Sequence, residues 1–113
     1  MKREIMNKGE VWLVRLFEAA GREEQGFRPA VIIADTTTTI AVVIPLTSQA
    51  RALRFPFTIE VESSEKNGLV LPSVALVFHI RAIDKSHLAR RLGIIEKKYL
   101  LSIEGALKKL FGL

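Results

Sequence analysis

Only the end of this 113-residue chain keeps a helical period. Leu100, Ile103, Leu107, Leu110 and Phe111 recur at spacings of three, four, three and one, which draws one apolar stripe down a helix. Lys97, Lys98, Lys108 and Lys109 fall largely off that stripe, and Gly112 suits its C-cap. Ahead of it, apolar residues come in short β-branched runs separated by turn residues. Five or six short strands cannot bury their apolar faces one by one. With a single terminal helix they predict a mainly β fold, a small and strongly curved barrel with the helix packed on it.

The runs can be placed individually. "GEVWLVRL", residues 9–16, reads as a strand, and "FEAAGREEQGF" after it as a charged loop. Pro29 opens "AVIIA", a short buried strand whose start tolerates a missing N–H. "DTTTT" is a turn led by Asp35. Residues 40–46 form the next strand, with Pro45 marking an edge or bulge. "SQARALRFP" is a basic loop. "FTIEVE" alternates as a half-exposed strand, and "SSEKNG" is a turn carrying an Asn-Gly pair. "SVALVFHI", residues 73–80, is another strand. "DKSHLARRL" offers Asp84 as N-cap of a short helical stretch, and residues 93–95 are a brief final strand.

Composition narrows the function classes. The length suits one domain spanning residues 1–113. Without cysteine, disulfides and cysteine-based zinc sites are excluded. No apolar run nears the roughly 18 residues of a membrane span, and no signal peptide opens the chain, so a cytoplasmic protein is expected. Apolar residues make up 49%, a surplus that points to self-association. The net charge of +5 favours an anionic partner such as nucleic acid, or else reflects an ordinary solvated basic surface. Two isolated histidines, His79 and His87, give no metal signature, and no cofactor is expected.

"IPLTSQ" poses the sharpest question. A strand that looks buried ends in Thr47, Ser48 and Gln49, which either cap a turn or line a site. "GEVWLV", "GFRPAVII", "IPLTSQ", "PFTIEV", "GLVLPSVALVFHIRAIDKSHLARRLGII" and a helix ending "LFGL" follow one another in an order that resembles the MazF/PemK (Kid) family of toxins. The resemblance covers nearly the whole chain. It implies an SH3-like (CcdB/MazF-type) barrel, usually a homodimer. It implies metal-independent endoribonuclease activity on single-stranded RNA, often at short sequence motifs. It also implies an acidic antitoxin protein whose flexible tail covers the active groove.

Cutting RNA without a metal uses the 2′-hydroxyl as nucleophile, so an enzyme must neutralise the phosphate and move two protons. A positioned acid or base contributes about 10²- to 10⁴-fold, and a donor aimed at the growing charge about 10²- to 10³-fold. The residues alone leave Arg28 as a surface arginine before a strand. The resemblance makes it the phosphate donor or acid, which its fork of N–H groups suits. The resemblance likewise puts the Thr47 hydroxyl on a phosphate oxygen, with Ser48 and Gln49 holding RNA backbone or bases. Arg51 and Arg54 position phosphates or simply solvate a loop. Glu23 or Glu24 supplies a base, or both are solvated loop charges. Trp12 and Phe27 stack on bases or fill the core.

One departure bears on the mechanism. Where many relatives carry Asp-Gln before Ile-Arg, this chain has Phe78-His79 before Ile80-Arg81. Strand alternation would put His79 and Arg81 on one face. His79 then serves as a titratable group, imidazole being the side chain that changes charge near neutral pH, or sits half-buried against backbone. Two other function classes stay open at this point: a gyrase poison of the CcdB type, and a catalytically silent RNA-binding module.

Overall fold

The computed structural model describes residues 6–16 and 26–113. Seven strands form one antiparallel sheet: β1 (Glu10–Arg15), β2 (Phe27–Asp35), β3 (Ile40–Thr47), β4 (Thr58–Val61), β5 (Ser73–Leu76), β6 (Arg81–Asp84) and β7 (Leu88–Ile94). Helix α1 (Lys97–Phe111) follows. The spatial order is β4-β5-β3-β2-β1-β7, with β6 also on β3. Among the described residues no ladder joins β4 to β7, so the barrel is a curved sheet that stays open.

Strand β3 explains the curvature. Its first half, Ile40 to Val43, pairs with β6, and its end, Leu46 and Thr47, pairs with β5. Pro45 sits at the changeover, facing Ala30 of β2 on the other side. A residue without an N–H removes no ladder bond at a point where one partner leaves and another arrives. Further bending comes from irregular register between Ile32 and Ala34 and at two points along β1 and β7.

The sheet buries both faces. Val11, Val31 and Ile44 are neighbours across three strands and pack, with Leu46, Val61 and Val77, under Ile103 of the helix. The alternate set, Val14, Ala30, Ile32 and Val43, packs with Met6, Leu16 and Ile83 on the other side, against Trp12 and Leu88. The expected stripe is present on α1. Ile103 is fully buried, Leu100 and Leu107 pack beside it, and Gly112 in left-handed conformation ends the helix.

Four readings from sequence change. The run 73–80 does not stay extended: β5 ends at Leu76, and Val77–His79 make a 3₁₀ turn before β6. The segment 84–92 is not helical beyond one 3₁₀ turn at Lys85–His87. Asp84 does cap that turn, accepting from the Ser86 N–H at 2.9 Å, but Leu88–Ile94 is a seven-residue strand on β1. Residues 93–95 are thus the end of β7 and its exit. The basic loop after Gln49 also contains a 3₁₀ turn, Ala50–Arg54.

Two polar clusters tie the loops down. Asp35 receives the Lys85 ammonium at 2.6 Å, the Met6 N–H at 2.9 Å and the Thr37 N–H at 2.7 Å. The Lys85 hydrogen bond, with the two backbone donors, lowers its carboxyl from the ordinary 3.8 to about 2. Asn67, fully buried, accepts from the Ser64 and Leu69 N–H groups and donates to Glu62 C=O and to Glu96. Burial pushes the Glu96 carboxyl up, but Ser64, Asn67, its own backbone N–H and the Lys66 charge outweigh that and leave it lowered. The Asn-Gly turn then presses on β7. A Cβ at Gly68 would meet Leu92 O at 2.2 Å, and one at Gly93 would meet Lys66 O at 2.2 Å, so only glycine fits either place.

Candidate active site

Arg28 and Thr47 reach one place from different strands. Arg28 is the second residue of β2, not a loop residue ahead of it. It pairs with Val14 of β1, and its alternation puts it on the face of Ala30 and Ile32. Ala30 faces Pro45 of β3, so carrying that antiparallel register two places further sets Arg28 beside Thr47. Both side chains are half-buried.

Two chambers meet at this pair. The larger, about 600 Å³, runs from Phe27, Ser48 and Ser73 towards Leu69, Leu71 and Arg90. The smaller, about 420 Å³, runs towards Arg51, Phe55, Phe78, His79 and Arg81. Arg28, Leu46, Thr47 and Gln49 line both, so they form the waist of one bent groove.

The "LTSQ" question has a double answer. Thr47 Oγ1 accepts the Gln49 N–H at 3.2 Å, which is a turn cap. The same hydroxyl keeps its proton to donate. The cap uses one lone pair of that oxygen, and Thr47, Ser48 and Gln49 all line the groove.

The other residues singled out from sequence separate. Arg51 and Arg81 line the smaller chamber. Arg54 does not line either chamber; its guanidinium stands 5.6 Å over the Phe55 ring. Glu23 and Glu24 lie outside the described residues. The alternation expected at Phe78–Arg81 fails because of the 3₁₀ turn, and Phe78, His79 and Arg81 all reach the smaller chamber. His79 is exposed, not half-buried against backbone, with its ring 4.7 Å from Phe78. Trp12 is half-buried and donates to Glu10 Oε1 at 2.9 Å, whereas Phe27 is 46% exposed beneath the Arg15 guanidinium.

Arg90 was missed as a site residue. It belongs to a segment with helix-forming residues, and its place on the groove follows only from β7 pairing with β1, where it faces Leu13. Among the described residues no three His, Cys, Asp or Glu side chains converge as metal ligands, and no helix is long and apolar enough to cross a membrane.

The sequence pattern of the PemK-like, MazF-like toxins of type II toxin–antitoxin systems matches residues 7–111. The chain belongs to this family. A PemK/MazF relative named endoribonuclease MazF, from Staphylococcus saprophyticus, is 31% identical over 96% of this chain and 93% of its own length. A protein of the same name from Staphylococcus epidermidis is 29% identical over the same shares. Among solved structures, MazF of Deinococcus radiodurans superposes with a TM-score of 0.78 at 24% identity, covering 98% of this chain and all of that one, a likeness of fold. The MazE–MazF complex of the same organism gives 0.78 at 25% identity, covering 98% and 99%. The open, curved sheet with its terminal helix is therefore a PemK/MazF fold.

Proposed function

We propose that this chain, acting as one domain, is a metal-independent, sequence-selective endoribonuclease of single-stranded RNA, the toxin of a toxin–antitoxin pair in the cytoplasm. The observation that carries the reading is the waist of the groove. A permanent cation, Arg28, stands beside a capped hydroxyl, Thr47, where two chambers meet on a basic protein. Family membership and relatives named endoribonuclease MazF support the same activity and leave the gyrase-poison alternative without support.

The chemistry follows from those two groups. The 2′-oxygen attacks phosphorus, the bond to the 5′-oxygen breaks, and a 2′,3′-cyclic phosphate forms. Arg28 gives a charge-assisted fork to the phosphate oxygens as charge grows on them. Thr47 donates a neutral, weaker bond to the same group. One proton leaves the 2′-hydroxyl and one arrives at the 5′-oxygen. Glu23, Glu24, His79 and Arg81 are the candidates for this transfer, with Arg28 as a second donor. Ser48, Gln49 and Arg51 hold the strand on either side of the waist, and Arg54 adds charge beyond it.

An acidic antitoxin segment occupies the same groove and offers carboxylates to its arginines, in keeping with the solved MazE–MazF complexes. A homodimer covers part of the exposed apolar surface and joins two basic surfaces into one. The test is a long sequenced RNA incubated with the protein in EDTA. Fragments with cyclic or opened 3′-phosphates and 5′-hydroxyls at a recurring motif are expected. A strict requirement for a divalent metal, or intact RNA, refutes the reading.

A further inference from the structure

We propose that the smaller chamber is a base-stacking subsite, in which Phe78, flanked by Phe55 and His79, holds one unpaired nucleobase next to the phosphate at Arg28 and Thr47. The proposal rests on the ribonuclease reading above and adds which part of the groove reads the RNA.

Three observations carry it. First, the chamber has an aromatic wall. Phe78 is the middle of three rings, with Phe55 at 6.1 Å and His79 at 4.7 Å, both edge-to-face. Phe55 and Phe78 stay 48% and 36% exposed, although rings of this size are ordinarily covered. Edge-to-face packing holds each ring in place without capping it with a parallel partner, which leaves room for a flat ligand. Second, the charge of the lining is one-sided. Arg28, Arg51 and Arg81 line the chamber, and among the described residues no carboxylate does. Aromatic rings beside cations match a ligand that is both flat and anionic, as a nucleotide is. Third, the two chambers differ in kind. Among its described lining the larger has one aromatic ring, Phe27, under the Arg15 guanidinium; the smaller has Phe55, Phe78 and His79, and since Phe55 likewise lies under a guanidinium, that of Arg54, Phe78 is the ring that takes the base.

A base in the smaller chamber also finds polar groups for its edge. Gln49 presents an amide at the waist and His79 an imidazole at the far wall. Stacking itself tolerates any base, so selectivity at this position comes from these two side chains.

The test uses an RNA oligonucleotide carrying the cut site read from a long RNA, with 2′-deoxyribose at that site so that it binds without being cut. Each nucleotide in turn is made abasic, or replaced by the fluorescent base 2-aminopurine. One position next to the cut is expected to show quenched 2-aminopurine fluorescence, and loss of its base should weaken binding by roughly 5- to 150-fold. Phe78→Ala should weaken binding of intact RNA by a similar factor but leave binding of that abasic RNA unchanged, and Phe78→Trp should restore binding. Gln49→Ala and His79→Ala should broaden the bases accepted there. Phe78 is partly exposed, so an unchanged melting temperature checks that the variant still folds.

Additive effects of Phe78→Ala and the abasic site overturn the proposal while leaving the nuclease standing. So does a Phe78→Ala protein that falls to monomer in light scattering, since the rings would then belong to a protein interface. If no abasic position matters, but an acidic peptide binds and Phe78→Ala weakens it, the chamber serves a protein partner and the proposal fails. If wild-type protein leaves long RNA intact, the nuclease reading falls and the same cycle is run on mixed-sequence RNA. Coupling there keeps the subsite, and its absence removes it.

Discussion

Replacing Thr47 by valine separates the turn cap from the donor role proposed for its hydroxyl. The change keeps the β-branched shape and removes one oxygen. As a cap, that oxygen accepts a single exposed bond at 3.2 Å from the Gln49 N–H, which contributes below about 1 kcal/mol. For a chain of this size the melting temperature should fall by no more than about 5 °C. As a donor to a charged phosphate, the same hydroxyl contributes about 1.5–3 kcal/mol in the transition state, or roughly 10- to 150-fold in rate. Thr47→Val should therefore melt almost normally and cut slowly, while Thr47→Ser should stay within a few-fold of wild type. Single-turnover cleavage of an end-labelled RNA in EDTA, alongside thermal melts, measures both. A Thr47→Val protein with near-full rate, or a Thr47→Ser protein as slow as it, would refute the donor role.

Arg28→Ala should lower the single-turnover rate by roughly 10²-fold or more, exceeding Thr47→Val because a charged fork is lost; equal rates would count against its place at the phosphate. The Asp35 carboxyl is lowered from 3.8 to about 2, chiefly by its hydrogen bond from Lys85, so its contribution to stability is full above the unfolded value and is lost as pH falls towards about 2. Thermal melts across that window should show a steeper acid decline in wild type than in Asp35→Asn, and parallel curves would contradict it. Asn67→Ala strands the Ser64 and Leu69 N–H groups, the Glu62 carbonyl and one Glu96 oxygen, and should cost about 2–4 kcal/mol in urea unfolding. A loss below about 1 kcal/mol would mean that water replaces the amide.

The parts of the fold written in local chemistry were legible. The helix follows from its stripe, the turns at Asp35 and Asn67 from their side chains, and the oddity of Pro45 from its missing N–H. What failed was written elsewhere in the chain. Residues 84–92 contain a real cap and good helix formers, and the Ser86 N–H does meet Asp84. The helix stops after one turn because Leu88–Ile94 pairs along the length of β1, with two bulges. Likewise "SVALVFHI" has strand propensity throughout, yet it turns after Leu76, where the chain must leave β5 and return to β3 as β6. The candidate site was legible as residue types, Arg28 and "TSQ". That they are neighbours was not, because adjacency depends on a register between β2 and β3 that no single segment encodes.

The pairing of β1 with β7 sets an order of events during synthesis. The β1–β2–β3 meander needs only short closures and can form within microseconds of leaving the ribosome. It already sets Arg28 beside Thr47. Leu88, the partner of Val14, emerges on the order of 2–8 s later at ordinary elongation rates. Until then the larger chamber lacks Arg90 and Leu92, and β1 has an open edge. In a nascent chain the waist at Arg28 and Thr47 thus forms before the wall that Arg90 and Leu92 give the larger chamber, so the two halves of one groove are made at different times.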